Sequence, residues 1–510
     1  MDLVLGIDSS TTSTKAIAWD RAGTAVAEGR AILPLRDLGR GWMEQSVEDW
    51  WQGLGDALRD LFRRIDPARV AALSISNQRE TVGFLDEADA EVRPAILWLD
   101  ERCRPDIDLL ARKLPAERFR AITGKTPDPT PAVFSLHWLQ RCEPEHWGRT
   151  AWFVDVLGYL GWRLTGRRLT SWGSADPHGL MDLGSMRYSA EILGILGLSE
   201  DRLYPMVRPG TVVGEVGAEA AAATGLRPGT LVVAGGGDGQ ASGLGTAILG
   251  AGRACRAYLN LGTAAVSGVW SAPYLTSHAF RTLTSLSGEG YILELCMRTG
   301  AFLTDWSVRQ FFGTDPAADP GIYDRLEAEA MTLPPGADGV LLLPYWSGAM
   351  APFWDPDAGG AVVGLRTGHG RAHYWRAMIE SVALDCAMGY RAIDEVTGEP
   401  IRELLTIGGG ARSRLMRQIV ADSTGRTVLI SSTLEASCLG AGMLAAAGAG
   451  WYPTPVDGAQ AMQGAVTATV EPDPRNAGAY GELLAIYREL YPALRATFAR
   501  LAAYRARDLG

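Results

Sequence analysis

Two short stretches of this sequence hold carboxylates in settings suited to chemistry. In LVVAGGGDGQASGLG (residues 231–245) one charged side chain, Asp238, follows an apolar run and has a glycine on either side. Glycine carries no Cβ, so a reactant can come close to the backbone beside that carboxylate. At the end of a strand, facing the N-terminus of the next helix, an aspartate stays ionised and can accept a proton at neutral pH. The alternative is a purely local role, with Asp238 as the N-cap of the helix GQASGLGTAIL. In GIDSSTTSTK (residues 6–15) a strand ends in Asp8, and serines and threonines then crowd a turn that returns into a second strand. Hydroxyls and backbone N–H groups there could receive phosphate oxygens, while Asp8 could hold Mg²⁺ through water. The competing reading is a turn whose hydroxyls satisfy their own backbone. A matching turn, Leu261-Gly262-Thr263, recurs in the second half, and two such turns from two domains can clamp one polyphosphate.

Hydroxyl recognition is suggested by SNQRET (residues 76–81), a loop between two strands in which Gln78, Arg79 and Glu80 supply two donors and an acceptor for vicinal hydroxyls. An exposed turn carrying an Arg/Glu pair is the plainer account. AILWLDERC adds Trp98, whose face could pack on substrate carbons, and Asp100, a further acceptor. GGGARS (residues 408–413) follows the strand ELLTI and opens a helix. Its backbone could lie flat under an adenine or ribose, or it is simply a tight strand-to-helix turn. Other chemistries fail on spacing. Gly124-Lys125-Thr126 resembles the end of a Walker A loop, but the first glycine of that pattern falls on Phe119, and Pro127 and Pro129 follow where a helix must begin. Gly237 and Gly239 lack the third glycine of a dinucleotide fingerprint, whose place is taken by Ser242. His369 and His373 have the spacing of a zinc pair, but Gly370 stands where the glutamate is needed.

The elements that must position these residues alternate short apolar strands with amphipathic helices, as in an α/β architecture. LVLGID reads as a buried strand with TKAIAWD and TAVAEGRA as hairpin neighbours, and SVEDWWQGLGDALRDLFRRI as a surface helix with an acidic first turn. ACRAYLNLGTAAVSGVWS repeats strand, small turn, strand, which suggests two similar domains meeting near residue 246 and packed around a cleft. The 510 residues are 47% hydrophobic and 21% charged, ordinary values for a globular chain with a large core. A net charge of −10 and the lack of a Lys/Arg-rich run speak against a nucleic-acid partner. The cysteines (Cys103, Cys142, Cys255, Cys296, Cys386, Cys438) form no CxxC pair, as expected of a reduced cytoplasmic protein. No signal peptide or membrane span is expected: the stretch CLGAGMLAAAGAGW is too short and too rich in Ala and Gly.

Asp8 with SSTTS, then SNQRET, AGGGDGQ, NLGT, APFWDP and IGGGARS, occur in the order and approximate spacing of the FGGY carbohydrate kinases, a family that includes glycerol kinase, xylulokinase, ribulokinase and gluconokinase. The sequence resembles that family from residue 2 to roughly residue 450. The resemblance implies an α/β fold of two actin-like (ribonuclease H-like) ATPase domains flanking a central cleft. Residues 1–245 would bind the sugar and supply the base, and residues 246–510 would bind ATP. It casts Asp238 as the general base and places the substrate over Gln78, Arg79, Glu80, Trp98, Asp100 and Asp238. ATP would contact Ser10, Thr11, Thr12, Ser13, Lys15, Gly262, Thr263, Gly300, Gly409, Gly410, Ala411 and Ser413, with Mg²⁺ near Asp8 and Asp238. ATP and Mg²⁺ are the implied cofactors, a small sugar or polyol the partner, and a homodimer is compatible with the family. Gly239 and Thr130 stand where glycerol kinase carries Gln and Tyr, so the expected substrate is larger than glycerol, a pentulose such as D-xylulose. Glycerol or another polyol is the alternative. An actin-like or heat-shock-type ATPase coupled to a protein partner is more distant, since no separate partner-binding domain is visible. A non-catalytic sugar sensor is disfavoured because both Asp8 and Asp238 are present.

Overall fold

A computed structural model describes residues 1–249, 256–262, 264–298 and 300–507. Thr263 and Cys255 lie outside the described residues. The first sheet contains β1 (Leu3–Ser9), β2 (Ser13–Trp19), β3 (Ala25–Ile32), β4 (Val70–Asn77), β5 (Val212–Glu215) and β6 (Leu231–Gly237), in the spatial order β5-β6-β4-β1-β2-β3. The second contains β7 (Arg256–Leu261), β8 (Ala265–Ser271), β9 (Arg281–Thr284), β10 (Tyr291–Met297), β11 (Glu403–Ile407), β12 (Thr427–Ser431) and β13 (Val466–Val470), in the order β9-β10-β8-β7-β11-β12-β13. In each, a central strand runs parallel to two neighbours on one side and antiparallel to a hairpin partner on the other, and an antiparallel strand closes the parallel edge. The second sheet repeats the first and adds β9 beside β10. The recurrence of strand, turn and strand in the sequence thus reflects two actin-like sheets.

Helix α1 (Val47–Leu61) begins at Ser46, whose hydroxyl accepts from the Glu48 N–H while Asp49 reaches back to the Ser46 N–H. Its apolar face, Trp50, Leu54, Ala57, Leu58 and Leu61, is buried in the core of the first sheet. Burying each such side chain contributes about 1.5–3 kcal/mol, which fixes the helix more firmly than its intrinsic propensity. The chain halves do not stay apart. Helices α2 (Asp238–Gly245) and α3 (Ala436–Gly448) cross between the sheets, and α3, from the second half, packs on β1, β4 and β6 of the first. The crossing is close enough that a Cβ on Gly245 would lie 2.0 Å from the Ala436 carbonyl oxygen, and one on Gly440 2.0 Å from that of Ala241. The halves are therefore joined by a backbone-to-backbone contact at the floor of the cleft. Among the described residues no helix is long and apolar enough to cross a membrane.

Candidate active site

The parallel strands β1, β4 and β6 end side by side, and their C-terminal ends deliver Asp8, the loop of residues 78–81, and Asp238 to one place. Ligands in open α/β sheets bind at such carboxyl ends. Asp238 is the first residue of α2 rather than its cap: Gly237 holds the capping position, and no side-chain cap bond forms. Asp238 therefore does not cap α2. Its Oδ1 accepts from the Gly239 N–H (2.7 Å) and lies 2.7 Å from Arg79 Nε, while the side chain remains 42% exposed. Both contacts fall on Oδ1, leaving Oδ2 to take a proton.

The glycines around Asp238 have a different purpose from the one expected. A Cβ on Gly237 would meet Arg79 Cδ and Cγ at 2.5 Å, and one on Gly239 would meet its guanidinium at 3.0 Å. They make room for Arg79 to lie across the backbone and reach Asp238. The space at Gly239 therefore belongs to the Arg79 guanidinium, contrary to the room for a larger substrate expected at that position. Thr130 is buried, and its Oγ1 has no partner among the described residues.

Arg79 also reaches the other half of the molecule: its Nη1 lies 2.5 Å and 3.0 Å from the two oxygens of Glu294 on β10. Glu80, at a left-handed φ of 60°, pairs with Arg281 of β9 at 2.8 Å. Non-glycine residues in that region carry strain that the surroundings must hold in place. Burial raises the Glu80 carboxyl, with Arg281 and then Arg79 opposing it. Burial also works against the Arg79 charge, but Glu294 and Asp238 outweigh it and push the guanidinium above its usual range.

Other residues expected to touch substrate are turned inward. Gln78 donates to Gln45 Oε1 (3.1 Å) and accepts from Thr81 Oγ1 (3.0 Å). Asp100 is buried, held by Arg102 at 2.7 and 2.8 Å and by the Met43 N–H at 2.6 Å. Trp98 is partly exposed and donates from Nε1 to Thr11 Oγ1 at 2.9 Å, which ties the AILWLD segment to the hydroxyl-rich turn. Gln45, missed in the sequence, donates to the Thr11 carbonyl (2.8 Å) and accepts from Gln78 and Trp50, so one buried amide fixes turn and loop together.

Along the turn, Ser10 Oγ donates to the Ser13 carbonyl at 2.8 Å, while Thr12 is exposed. Lys15 pairs with Glu435 at the start of α3. Asp8 accepts from Ser76 Oγ at 3.0 Å. Burial, and next the neighbouring Asp238, raise its carboxyl to about 7. A carboxylate whose charge is disfavoured by a second one beside it suits a divalent cation. Among the described residues no cluster of three or more His, Cys, Asp or Glu could enclose one. His369 and His373 accept backbone N–H bonds through Nδ1 and make no such site.

On the second domain a cavity of about 430 Å³ opens between the glycine turns and two helices, α4 (Arg371–Thr397) and α5 (Arg414–Thr424). Gly300, Gly409, Gly410 and Ser413 line it, as does Leu261 beside Gly262, while Ala411 is buried behind it. Trp375, Met378, Ile379 and Val382 of α4 form an apolar wall, and Asp305, Asp324 and Glu327 supply acceptors. The turns touch backbone to backbone: a Cβ on Gly300 would lie 2.6 Å from the Gly262 carbonyl oxygen. Ser413 both lines the cavity and caps α5 by accepting from the Met416 N–H at 3.0 Å. The α4 wall was not foreseen, because a helix rich in apolar residues reads as core.

Fold and site together define a protein of two duplicated actin-like α/β domains, with an acidic cleft on one side and a cavity fit for a nucleoside on the other. The N-terminal domain model of the FGGY family of carbohydrate kinases matches residues 3–245 and the C-terminal domain model matches residues 257–449. The chain belongs to the FGGY family of carbohydrate kinases. It is 28% identical over 503 residues to a xylulose kinase of Bacillus subtilis, covering 96% of this chain and 97% of the relative. It is 26% identical to a gluconokinase of the same organism (98% of each), and 31% identical to a glycerol kinase of Methylorubrum extorquens (89% and 91%). The crystal structure of a xylulose kinase from Rhodospirillum rubrum superposes with a TM-score of 0.89 at 30% identity, covering 98% of this chain and all of that one.

Proposed function

We propose that this carbohydrate kinase transfers the γ-phosphate of ATP to a hydroxyl of an uncharged sugar, a ketopentose such as D-xylulose, with Asp238 as the general base. The observation that carries the reading is the half-exposed Asp238, fixed through Oδ1 by Arg79 and Gly239 at the end of β6, beside Asp8 and the hydroxyl-rich turn. The substrate hydroxyl gives its proton to Oδ2 as its oxygen attacks phosphorus, so the new O–P bond forms while the bond from the γ-phosphorus to the bridging oxygen breaks and ADP departs. General-base help of this kind is worth about 10²–10⁴ in rate. The nucleoside half of ATP would lie in the cavity beside Trp375, and the hydroxyl-rich turn of residues 9–14 would receive its phosphates. Asp8, through water, and Asp238 would hold Mg²⁺. Its charge supplies neutralisation of the phosphate oxygens.

The cations around the base support an uncharged substrate over an aldonate. Arg79 is paired with Asp238 and Glu294, Arg281 with Glu80 and Glu294, and Lys125 with Asp176. A substrate carboxylate would have to displace one of these partners while facing Asp238 and Asp8. The choice of a ketopentose rests on the similarity to xylulose kinases along nearly the whole chain and on Thr130, which keeps an unpartnered hydroxyl inside the sugar-side domain. A polyol such as glycerol is the second reading, favoured by the similarity to a glycerol kinase. Steady-state phosphorylation of D-xylulose, glycerol and gluconate decides between them. The highest kcat/KM is expected for D-xylulose. A clear preference for glycerol overturns the ketose assignment, and a preference for gluconate overturns the uncharged class.

A further inference from the structure

The base is held from the opposite domain. Arg281 and Glu294 face each other across β9 and β10 as register partners, and both are buried, Glu294 completely. Glu294 grips Arg79 Nη1, while Arg79 uses a different edge, Nε, for Asp238. Because a guanidinium is planar, fixing one edge orients the other. Arg281 in turn holds Glu80, the residue strained at φ 60°, and lies 3.4 Å from Glu294. Four alternating charges, Glu80, Arg281, Glu294 and Arg79, therefore run from one domain into the other and back, ending at the exposed carboxylate of Asp238. Nearby, Lys125 Nζ and the Thr282 N–H join the domains through the Thr282 and Gly124 carbonyls at 3.0 and 2.8 Å.

We propose that Glu294 and Arg281 are positioning residues for phosphoryl transfer: through Arg79 and Glu80 the second domain aligns Asp238, so the base is set for its task only while the two domains are closed on each other. The proposal rests on the reading of Asp238 as the base. It departs from a purely structural role in what it asks of the pair. A buried ion pair can often be replaced by uncharged residues with little loss of stability, whereas removing one partner alone is strongly destabilising. Glu294→Gln leaves Arg281 paired with Glu80 and Arg79 paired with Asp238, whereas removing Arg281 as well strands the buried Glu80, so stability and turnover should separate in the single variant.

The test uses the full chain with the best sugar substrate, and compares Glu294→Gln and the double variant Arg281→Met/Glu294→Gln with the wild type and with Asp238→Asn. Glu294→Gln is expected to lower kcat at least tenfold while leaving KM for ATP within twofold, since the nucleoside cavity does not include these residues. The single variant is expected to keep a thermal midpoint close to wild type at its low kcat, and the double variant, in which Glu80 has lost Arg281, to melt lower. A Glu294→Gln enzyme turning over within twofold of wild type, or one whose kcat falls only in step with lost folded protein, overturns the positioning role. If Asp238→Asn itself turns over normally, it is the assignment of the base that fails. If Asp238→Asn is inactive and Glu294→Gln is not, only the present inference fails.

Discussion

Glu294 and Asp385 are both carboxylates buried in the second half of the chain, yet their surroundings drive them to opposite states. Around Glu294 burial opposes ionisation, but Arg281 and then Arg79 outweigh it and hold the carboxyl below its ordinary range. Around Asp385, on α4, burial dominates and raises the carboxyl to about 7, although the Tyr487 and Tyr345 hydroxyls donate to it at 2.8 and 3.0 Å. One region spends its buried acid on orientation, with cations fixing each oxygen. The other favours the neutral form of its buried acid inside an apolar helix cluster. The contrast extends to the two halves of the site: the side of Asp238 is set by ion pairs, and the second-domain side by glycine backbone around a cavity. Substitutions should therefore fail in different ways on the two sides.

The largest effect is expected on the ion-paired side. Asp238→Asn keeps the shape and the Gly239 contact but removes the proton acceptor, so kcat should fall by about 10²–10⁴. Sugar and nucleotide affinities, measured by calorimetry, should stay close to wild type. Turnover within threefold of wild type would falsify the assignment. Next in size is Asp8→Ala. The Mg²⁺ concentration for half-maximal rate should rise at least about tenfold, as when an outer partner of a metal site is lost. Sugar affinity without nucleotide should not change, and an equal loss of both would mean that Asp8 serves the fold instead.

On the cavity side two adjacent glycines separate the fold from ligand binding. A Cβ at Gly410 would lie 2.9 Å from the Leu261 carbonyl oxygen, while one at Gly409 would meet nothing within 4 Å. Gly410→Ala should therefore cost about 1–3 kcal/mol of strain and lower the melting temperature, with a weaker KM for ATP. Gly409→Ala should leave the melting temperature unchanged, and any effect should be confined to KM for ATP. Equal melting temperatures for the two variants would show that the close turn contact does not govern this side.

What the sequence revealed follows the same division. Asp8, Arg79, Glu80 and Asp238 were legible because each sits at a strand end within a few residues of glycines or hydroxyls, a local signal. The duplicated sheets were legible because the strand-turn-strand unit recurs. Glu294 and Arg281 were not, since their meaning depends on contact with a loop more than two hundred positions earlier, and YILELCM looks like any buried strand. Asp100 misled because its partner, Arg102, lies only two residues away, a pairing that composition does not distinguish from a free acceptor. Gln45 gave no signal at all: a lone amide in a three-residue strand becomes a hub only through tertiary packing.

The smallest expected effect concerns Asp385 and touches stability alone. Its carboxyl is raised to about 7 in the folded chain, against about 3.9 for an unfolded aspartate. The folded state thus binds more protons across that interval. The stabilising contribution of the neutral form is complete below about pH 4 and is lost as pH rises through 7. Both tyrosines donate to Oδ1, while Oδ2 has no partner among the described residues, as suits the protonated oxygen of a neutral acid. Asparagine preserves the Oδ1 acceptor and puts an N–H₂ group in place of that oxygen, so Asp385→Asn mimics the neutral form at every pH. Wild-type melting temperature should decline between pH 5 and 8, and the variant should decline less, with the two curves converging at the acid end. Asp8 adds a decline of the same sign in both proteins and cancels in the difference. Parallel curves would mean that Asp385 does not titrate in this window, and the contrast with Glu294 would reduce to which donors each acid has rather than which charge it carries.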